Sequence, residues 1–312
     1  MRIISAAELD RALDYPALIE RLRQAFRSDA IAAPTRSHHT VPTYGTSDAT
    51  LLIMPAWQQG RFIGIKMVTL FPDNADRSLP SIMGAYLLLD GRSGSPVALI
   101  DGPTLTVRRT AAASALAASY LARVDASRLL VVGTGALAPH LALAHANVRP
   151  IKEVLIWGRN PEKSARLAKQ LKVPGATVAA TEDLEGAVSG AHVVSCATLA
   201  QDPLIRGEWL SPGTHLDLVG GFTPQMREAD DGVIEKARIF VDTMDGALAE
   251  AGDILKPIEA GLMSVDDIAG DLFALTRGDR AGRRYYDQIT LFKSVGTAVE
   301  DLAAAQLAVQ QV

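Results

Sequence analysis

A glycine-rich junction, GTGALA, begins at Gly133 and directly follows the apolar run LLVV. It has the G-x-G-x-x-A form of the dinucleotide fingerprint, in which Gly133 permits a tight turn and Gly135 lets a pyrophosphate approach the backbone. Ala138 keeps the following helix close to the strand, and the first N–H groups of that helix suit phosphate oxygens. A tight strand–helix turn without a ligand is the alternative. The predicted cofactor contacts here are Gly133, Gly135, Ala136 and Leu137.

The next apolar run, EVLIW, is followed directly by Gly158 and Arg159. NAD sites carry Asp or Glu at this point, which accepts hydrogen bonds from the ribose and repels a 2′-phosphate. Gly158 removes that repulsion, and the guanidinium of Arg159 suits a phosphate. Asn160 adds a donor and caps the next helix, and Lys163 lies one turn further on. These four residues predict NADPH, with NADH as the weaker cofactor; a solvent-facing Arg159 is the alternative.

Both junctions belong to an alternation of strands and helices that starts after Ser127. The runs RLLVV, EVLIW, ATVAA, HVVSC, HLDL and RIFV are apolar, which is typical of a parallel sheet covered on both faces. Upstream, short strand-like runs are separated by Gly, Pro and Asp, and a long helix begins near Pro103. The predicted fold class is α/β, with a Rossmann domain over 119–294 and a second, α+β domain formed by 1–118 and 295–312.

Composition excludes several classes of partner. A net charge of −4 over 312 residues gives no electrostatic case for nucleic acid or an anionic membrane. No apolar run reaches the roughly 18 residues of a membrane span. The single cysteine, Cys196, cannot form an internal disulfide, which favours a cytoplasmic location. The histidines show no metal-ligand spacing, so no metal is expected.

The whole chain resembles the ornithine cyclodeaminase/mu-crystallin family. The resemblance implies a dimer-forming, substrate-binding N-terminal domain, a Rossmann domain, a C-terminal helix that returns to the first domain, and an active site in the cleft between the domains. Its partners are then a small molecule and a second copy of the chain. The segments that carry it are GIKMV (64–68), RRTAAASALA (108–117), GTGALA (133–138), GDI (252–254) and FKSVGTAVEDLAAA (292–305).

The resemblance also implies roles for individual cations. In the family, a substrate carboxylate is held by three cations that correspond here to Arg36, Lys66 and Arg109. Three cations can fix an α-carboxylate so that the neighbouring carbon faces a nicotinamide. Lys66 interrupts an apolar strand and is the candidate proton source, with an ordered water as the alternative. Surface positions are the alternative for Arg36 and for Arg109. Cofactor contacts implied by the resemblance are Arg109, Thr110 and Lys293.

One position departs from the cyclodeaminase pattern. Cyclodeaminases carry an aspartate after V-G-G that engages the amine of ornithine, whereas this chain has Phe222. A phenyl ring neither accepts a proton nor binds an ammonium, so ornithine cyclisation loses its acid/base group. The segment F-T-P-x-M-R-E resembles the corresponding segment in the family branch that reduces Δ1-pyrroline-2-carboxylate and Δ1-piperideine-2-carboxylate.

The resulting hypothesis is NADPH-dependent reduction of a cyclic imino acid, giving L-proline or L-pipecolate. The enzymatic alternatives are an ornithine cyclodeaminase and an alanine dehydrogenase. A non-catalytic NADPH- or small-molecule-binding protein like mu-crystallin is the alternative from a different class. Asp217, which interrupts the apolar strand HLDL, either orients a ligand or is a structural carboxylate.

Overall fold

The computed structural model describes residues 1–44 and 47–312, and the chain forms two units. The first unit comprises Met1–Thr110 and Thr297–Val312, and the second comprises Ala111–Gly296. The sequence instead predicted divisions at 118/119 and 294/295. The helix Gly102–Leu121 runs through the first division without a break, so neither a loop nor a change in composition marks it.

The first unit is built on a seven-stranded sheet. The strand order is β1-β7-β6-β5-β4-β2, with β3 also paired to β4, and every pair is antiparallel except β1–β7. Its strands are β1 (Arg2–Ile4), β2 (Ile31–Ala32), β3 (Ser37–Val41), β4 (Ala49–Gln58), β5 (Phe62–Leu70), β6 (Ile82–Asp90) and β7 (Pro96–Asp101). Its helices are α1 (Ala6–Ala12), α2 (Tyr15–Ser28), the start of α3 (Gly102–Leu121), and α11 (Ala298–Gln311).

Side-chain alternation gives this sheet two different faces. Lys66 on β5 pairs with Tyr86 on β6, and both are buried on the face that meets α11. The close fit requires a glycine at residue 64, because a Cβ there would lie 1.8 Å from the Tyr86 hydroxyl and 3.1 Å from Leu302 on α11. Residues on the opposite face, such as Met67, stay partly exposed. The last helix, predicted from Val295, begins at Ala298 and packs within the first unit.

The second unit confirms the predicted parallel sheet and extends it. Eight parallel strands run in the order β10-β9-β8-β11-β12-β15-β13-β14. The strands are β8 (Arg128–Val132), β9 (Glu153–Trp157), β10 (Thr177–Ala180), β11 (Val193–Cys196), β12 (His215–Leu218), β13 (Arg238–Val241), β14 (Ile268–Asp271) and β15 (Thr290–Lys293). The helices are α4 (Leu137–Ala146), α5 (Pro161–Gln170), α6 (Leu184–Gly190), α7 (Asp231–Lys236), α8 (Met244–Glu250), α9 (Gly252–Glu259) and α10 (Leu272–Arg277).

The strand order reverses direction at β8. The chain moves outward from β8 through β9 to β10 and then returns to place β11 on the other side of β8. In doubly wound sheets, ligands bind at the carboxyl ends of the strands that flank such a reversal. The segments after β8 and β11 are therefore where a nucleotide site is expected. Among the described helices, none has the length and apolar character needed to cross a bilayer.

Candidate functional site

The turn after β8 has the backbone geometry that a dinucleotide fingerprint needs. Gly133 has φ +127°, and a Cβ there would lie 2.5 Å from the carbonyl oxygen of Ala197, which follows β11. Gly135 faces open space, since an added Cβ would meet no atom within 4 Å. Ala136 begins α4 without a side-chain cap. The first N–H groups of the helix, beside the positive end of its dipole, therefore suit phosphate oxygens.

A cleft of about 440 Å³ opens at this turn within the second unit. One wall is the segment after β11, Ala197–Asp202, and the other is the segment after β9. The lining residues include Gly133, Gly135, Gly158, Arg159, Asn160 and Lys163, so six of the predicted cofactor contacts come together in one place. The cleft fits a dinucleotide, because its glycines admit a backbone–phosphate approach and the exposed cations Arg159 and Lys163 also line it.

The end of β9 leaves no room for a larger residue at position 158. A Cβ on Gly158 would lie 2.7 Å from Cγ2 of Thr134 and 3.0 Å from Oγ of Ser164. Arg159 is exposed beside this point. Asn160 caps α5 by accepting a hydrogen bond from the Lys163 N–H at 3.0 Å, as predicted. The site thus presents a guanidinium where NAD-specific sites present a carboxylate.

The predicted cations Lys66 and Arg109 form one buried cluster in the first unit. Lys66 is 1% exposed and Arg109 is 4% exposed. Their carboxylate partners, Glu300 and Asp301, are fully buried on α11. The Lys66 ammonium lies 2.9 Å and 2.8 Å from the two Asp301 oxygens. The Nε of Arg109 lies 3.0 Å from an Asp301 oxygen, and a terminal nitrogen of Arg109 donates to Glu300 at 2.5 Å. Asp301 therefore bridges the two cations.

The surroundings of Lys66 bring the pKa of its ammonium towards neutral pH. Burial and the charge of Arg109 lower the pKa of Lys66, and Asp301 opposes them, so that the pKa is about 8. Arg36, half-buried just before β3, adds to the lowering and therefore lies within electrostatic range of Lys66. The first unit therefore brings Lys66 and Arg109 together, and the position of Arg36 in a carboxylate site remains a prediction. An ammonium with this pKa is mostly charged at pH 7 yet releases its proton readily.

The two consecutive arginines of α3 do different things. Arg108 points away from the cluster; it pairs with Asp10 at 2.8 Å and donates to the Leu13 carbonyl at 3.1 Å. Arg109 and Thr110 are buried. Arg108 therefore links α3 to the N-terminal helical segment, whereas Arg109 belongs to the buried cluster with Lys66.

Lys293 occupies a second buried cluster, in the second unit. Its ammonium is fully buried and lies 3.0 Å from Asp253. Asp253 also accepts the backbone N–H of Glu228 at 2.7 Å. Glu228 in turn accepts from the Thr198 N–H and the Gly220 N–H, both at 2.8 Å. Thr198 lines the cofactor cleft. Lys293 thus supports the loops that form the cleft, and its predicted direct contact with the cofactor remains a prediction.

Two buried acidic residues, Asp217 and Glu228, accept hydrogen bonds inside the second unit. Asp217 is fully buried and accepts from Ser195 Oγ at 2.5 Å, with His145 Nε2 at 3.2 Å. This is the structural carboxylate that the sequence left as an alternative. Glu228 is fully buried before α7, and Asp230 caps that helix by accepting from the Val233 N–H at 3.1 Å. Burial raises the pKa of Glu228, which Lys293 opposes.

Sequence reasoning missed Glu300, Asp301 and Asp253. Glu300 and Asp301 were visible as adjacent acids in the otherwise small and apolar run GTAVEDLAAA. Charged residues on a buried helix face need partners, so this pattern was the available signal.

Comparison with known proteins places these sites in context. The model of the ornithine cyclodeaminase/mu-crystallin family matches residues 2–312. A Δ1-pyrroline-2-carboxylate reductase of Colwellia psychrerythraea is 38% identical, covering 100% of this chain and 99% of the relative. The structure of Thermococcus litoralis Δ1-pyrroline-2-carboxylate reductase with NADH and L-proline has a TM-score of 0.94 at 31% identity, covering 100% and 97% of the two chains. An archaeal alanine dehydrogenase dimer with bound NAD has a TM-score of 0.91 at 27% identity, covering 100% and 95%.

Proposed function

Because the chain belongs to the ornithine cyclodeaminase/mu-crystallin family, we propose that it is an NAD(P)H-dependent oxidoreductase acting on the C=N bond of a cyclic imino acid. Its substrates are Δ1-pyrroline-2-carboxylate, reduced to L-proline, and Δ1-piperideine-2-carboxylate, reduced to L-pipecolate. The observation that carries this proposal is the buried Lys66–Arg109–Asp301 cluster, which supplies both cations for a carboxylate and an ammonium for a proton. The relatives that are named for this reaction support the choice.

Different residues of the chain bind the substrate carboxylate and donate the proton in the proposed reaction. Lys66 and Arg109, with Arg36, hold the substrate carboxylate, and charge-assisted hydrogen bonds orient the ring. The bound nicotinamide supplies the hydride. Lys66 donates the proton that the ring nitrogen needs. Phe222 argues against the cyclodeaminase alternative, because it provides neither a carboxylate nor a proton acceptor. NADPH is the preferred cofactor, because the exposed Arg159 lines the cleft and can pair with a 2′-phosphate, and Gly158 has no carboxylate that would repel it.

A substrate panel run in parallel with NADH and NADPH tests the function. We expect coenzyme oxidation with both cyclic imines. Failure with both imines would reject the proposal. Ammonia release from ornithine without net coenzyme consumption would select the cyclodeaminase, and oxidative deamination of alanine would select the dehydrogenase. Coenzyme binding without any turnover would select a binding protein.

We also propose that the chain forms a homodimer through the open face of the first sheet. The side chains that point away from the helices are mostly apolar along β4, β5 and β6, and Trp57, Met67 and Met83 are 42%, 40% and 38% exposed. A continuous exposed apolar sheet face is typical of an interface. The dimeric alanine dehydrogenase of similar fold supports this assembly.

Light scattering during gel filtration measures the assembly. We expect a dimer for the natural chain and a shift to monomer for Met67→Glu, because the charge would be buried in an apolar interface. Val124→Glu is the control, since Val124 is 82% exposed in the second unit. A monomeric natural chain, or an equal effect of both substitutions, would contradict the proposal.

A further inference from the structure

Two adjacent carboxylates on α11 have different roles, although both are fully buried. Glu300 pairs with Arg109 at 2.5 Å. Asp301 pairs with Arg109 at 3.0 Å and also lies 2.8 Å and 2.9 Å from the Lys66 ammonium. Loss of either carboxylate therefore weakens the hold on Arg109, but the ion pair with Lys66 belongs to Asp301.

We propose that Asp301 is a positioning residue of the reaction, which holds the Lys66 ammonium charged and aimed for proton transfer to the substrate nitrogen. This inference rests on the proposed function. Asp301 Oδ1 is shared by Lys66 and Arg109, so one carboxylate fixes both the proton donor and a cation that binds the substrate carboxylate. The shared oxygen sets the spacing of the two cations, because the Lys66 ammonium and the Arg109 guanidinium both lie within ion-pair distance of it.

The hydride, the electron pair and the proton of the proposed step can each be accounted for. A bound reduced nicotinamide would supply a hydride to the carbon of the C=N bond, and the electron pair of that bond would move to nitrogen. The nitrogen takes a proton from the Lys66 ammonium, which becomes a neutral amine beside the Asp301 carboxylate. A proton from water then restores the ammonium. Asp301 gives up no proton in this step, and its negative charge favours the charged form of Lys66.

The surroundings of Lys66 make Asp301 the main opposing influence. Burial, Arg109 on α3 and Arg36 before β3 all lower the pKa of Lys66, and Asp301 raises it. Tyr86, its cross-strand neighbour on β6, is also buried, and burial and Asp301 raise the pKa of its hydroxyl, which stays neutral. Glu300 on α11 completes the group through Arg109. Without the Asp301 charge, burial and the charges of Arg109 and Arg36 would favour the neutral amine of Lys66.

The pH dependence of kcat/KM distinguishes positioning from simple structural support. Lys66 works as an acid only when protonated, so activity should fall as pH rises through its pKa. In Asp301→Asn the lower pKa of Lys66 should move this alkaline limb to lower pH by about one to three units. Asp301→Glu, which keeps the charge, should return the limb towards its natural position. Glu300→Gln is the matched control, equally buried and also removing a partner of Arg109; it should raise KM and leave the limb in place.

A second measurement does not depend on turnover. An NMR titration of labelled lysine side chains, with the Lys66 signal identified by its loss in Lys66→Met, reports the ionisation of Lys66 directly. We expect titration near pH 8 in the natural chain and at lower pH in Asp301→Asn, or in Asp301→Ser if the amide variant does not fold. Absence of turnover by the natural chain would reject the function alone. An unchanged Lys66 titration in the Asp301 variants, or an equal shift in Glu300→Gln, would overturn the role of Asp301.

Discussion

Lys66→Met should lower kcat/KM for Δ1-pyrroline-2-carboxylate by about 1,000-fold. A general acid contributes on the order of 100- to 10,000-fold, and the substitution also removes a charge-assisted hydrogen bond to the substrate carboxylate. Methionine fills most of the lysine volume, so the contact face between β5 and α11 should stay packed. Steady-state kinetics with each cyclic imine measure the effect, and circular dichroism checks the fold.

Arg108→Met is the control for that experiment. It removes a neighbouring cation of the same unit, but the Arg108 side chain pairs with Asp10 rather than with the cluster. We expect some loss of stability, because the partly buried Arg108 also donates to two backbone carbonyls, and kcat/KM within about threefold of the natural value, because Arg108 does not contact the cluster. If Lys66→Met retained a tenth or more of the natural activity, a water molecule rather than Lys66 would be the proton donor.

Arg159→Gln should reduce the preference for NADPH over NADH by about 10- to 100-fold. A hydrogen bond to a charged group contributes about 1.5–3 kcal/mol, which corresponds to this range of affinity. The loss should appear as a higher KM for NADPH with little change for NADH, because NADH has no 2′-phosphate. Lys163→Gln should have a smaller effect in the same direction. Equal losses with both coenzymes would show that Arg159 does not bind the 2′-phosphate.

The packing around Gly158 suggests variants that should shift the coenzyme preference towards NADH. Aspartate at this position would supply the carboxylate that favours NADH, but its Cβ would lie 2.7 Å from Cγ2 of Thr134. The double variant Gly158→Asp/Thr134→Ser removes that methyl group and should accept NADH better than Gly158→Asp alone. Titration of coenzyme fluorescence on binding gives both affinities.

The parts of the molecule that depend on local sequence were predictable. The glycine turn after β8, the strand that precedes it and the Asn160 cap each depend on neighbouring residues, and they appear where expected. β14 was missed because its four residues, IAGD, include a glycine and show no strand pattern. β15 was also missed as a strand, since TLFK is too short to show a period, although Phe292 and Lys293 belong to a segment that resembles the family.

The partners of Lys66 could not be predicted from spacing. Lys66 and Asp301 are separated by 235 residues, and no local rule connects a strand with a helix at that distance. The cost of burying a lysine indicates that some anion must face it, but composition does not say which one. Lys293 shows the same limit: its burial beside Asp253 depends on loops from three different strands.

The division of the first unit between the two ends of the chain has a consequence for biosynthesis. On the ribosome, Asp301 emerges only after the entire second unit has been made, because Ala111–Gly296 separates the two segments. β15 is an inner strand of the second sheet and lies just before α11 in the chain, so the two leave the ribosome almost together. Because domains complete their folds only after their segments emerge, neither the second sheet nor the cluster around Lys66 can be complete until β15 and α11 have left the ribosome.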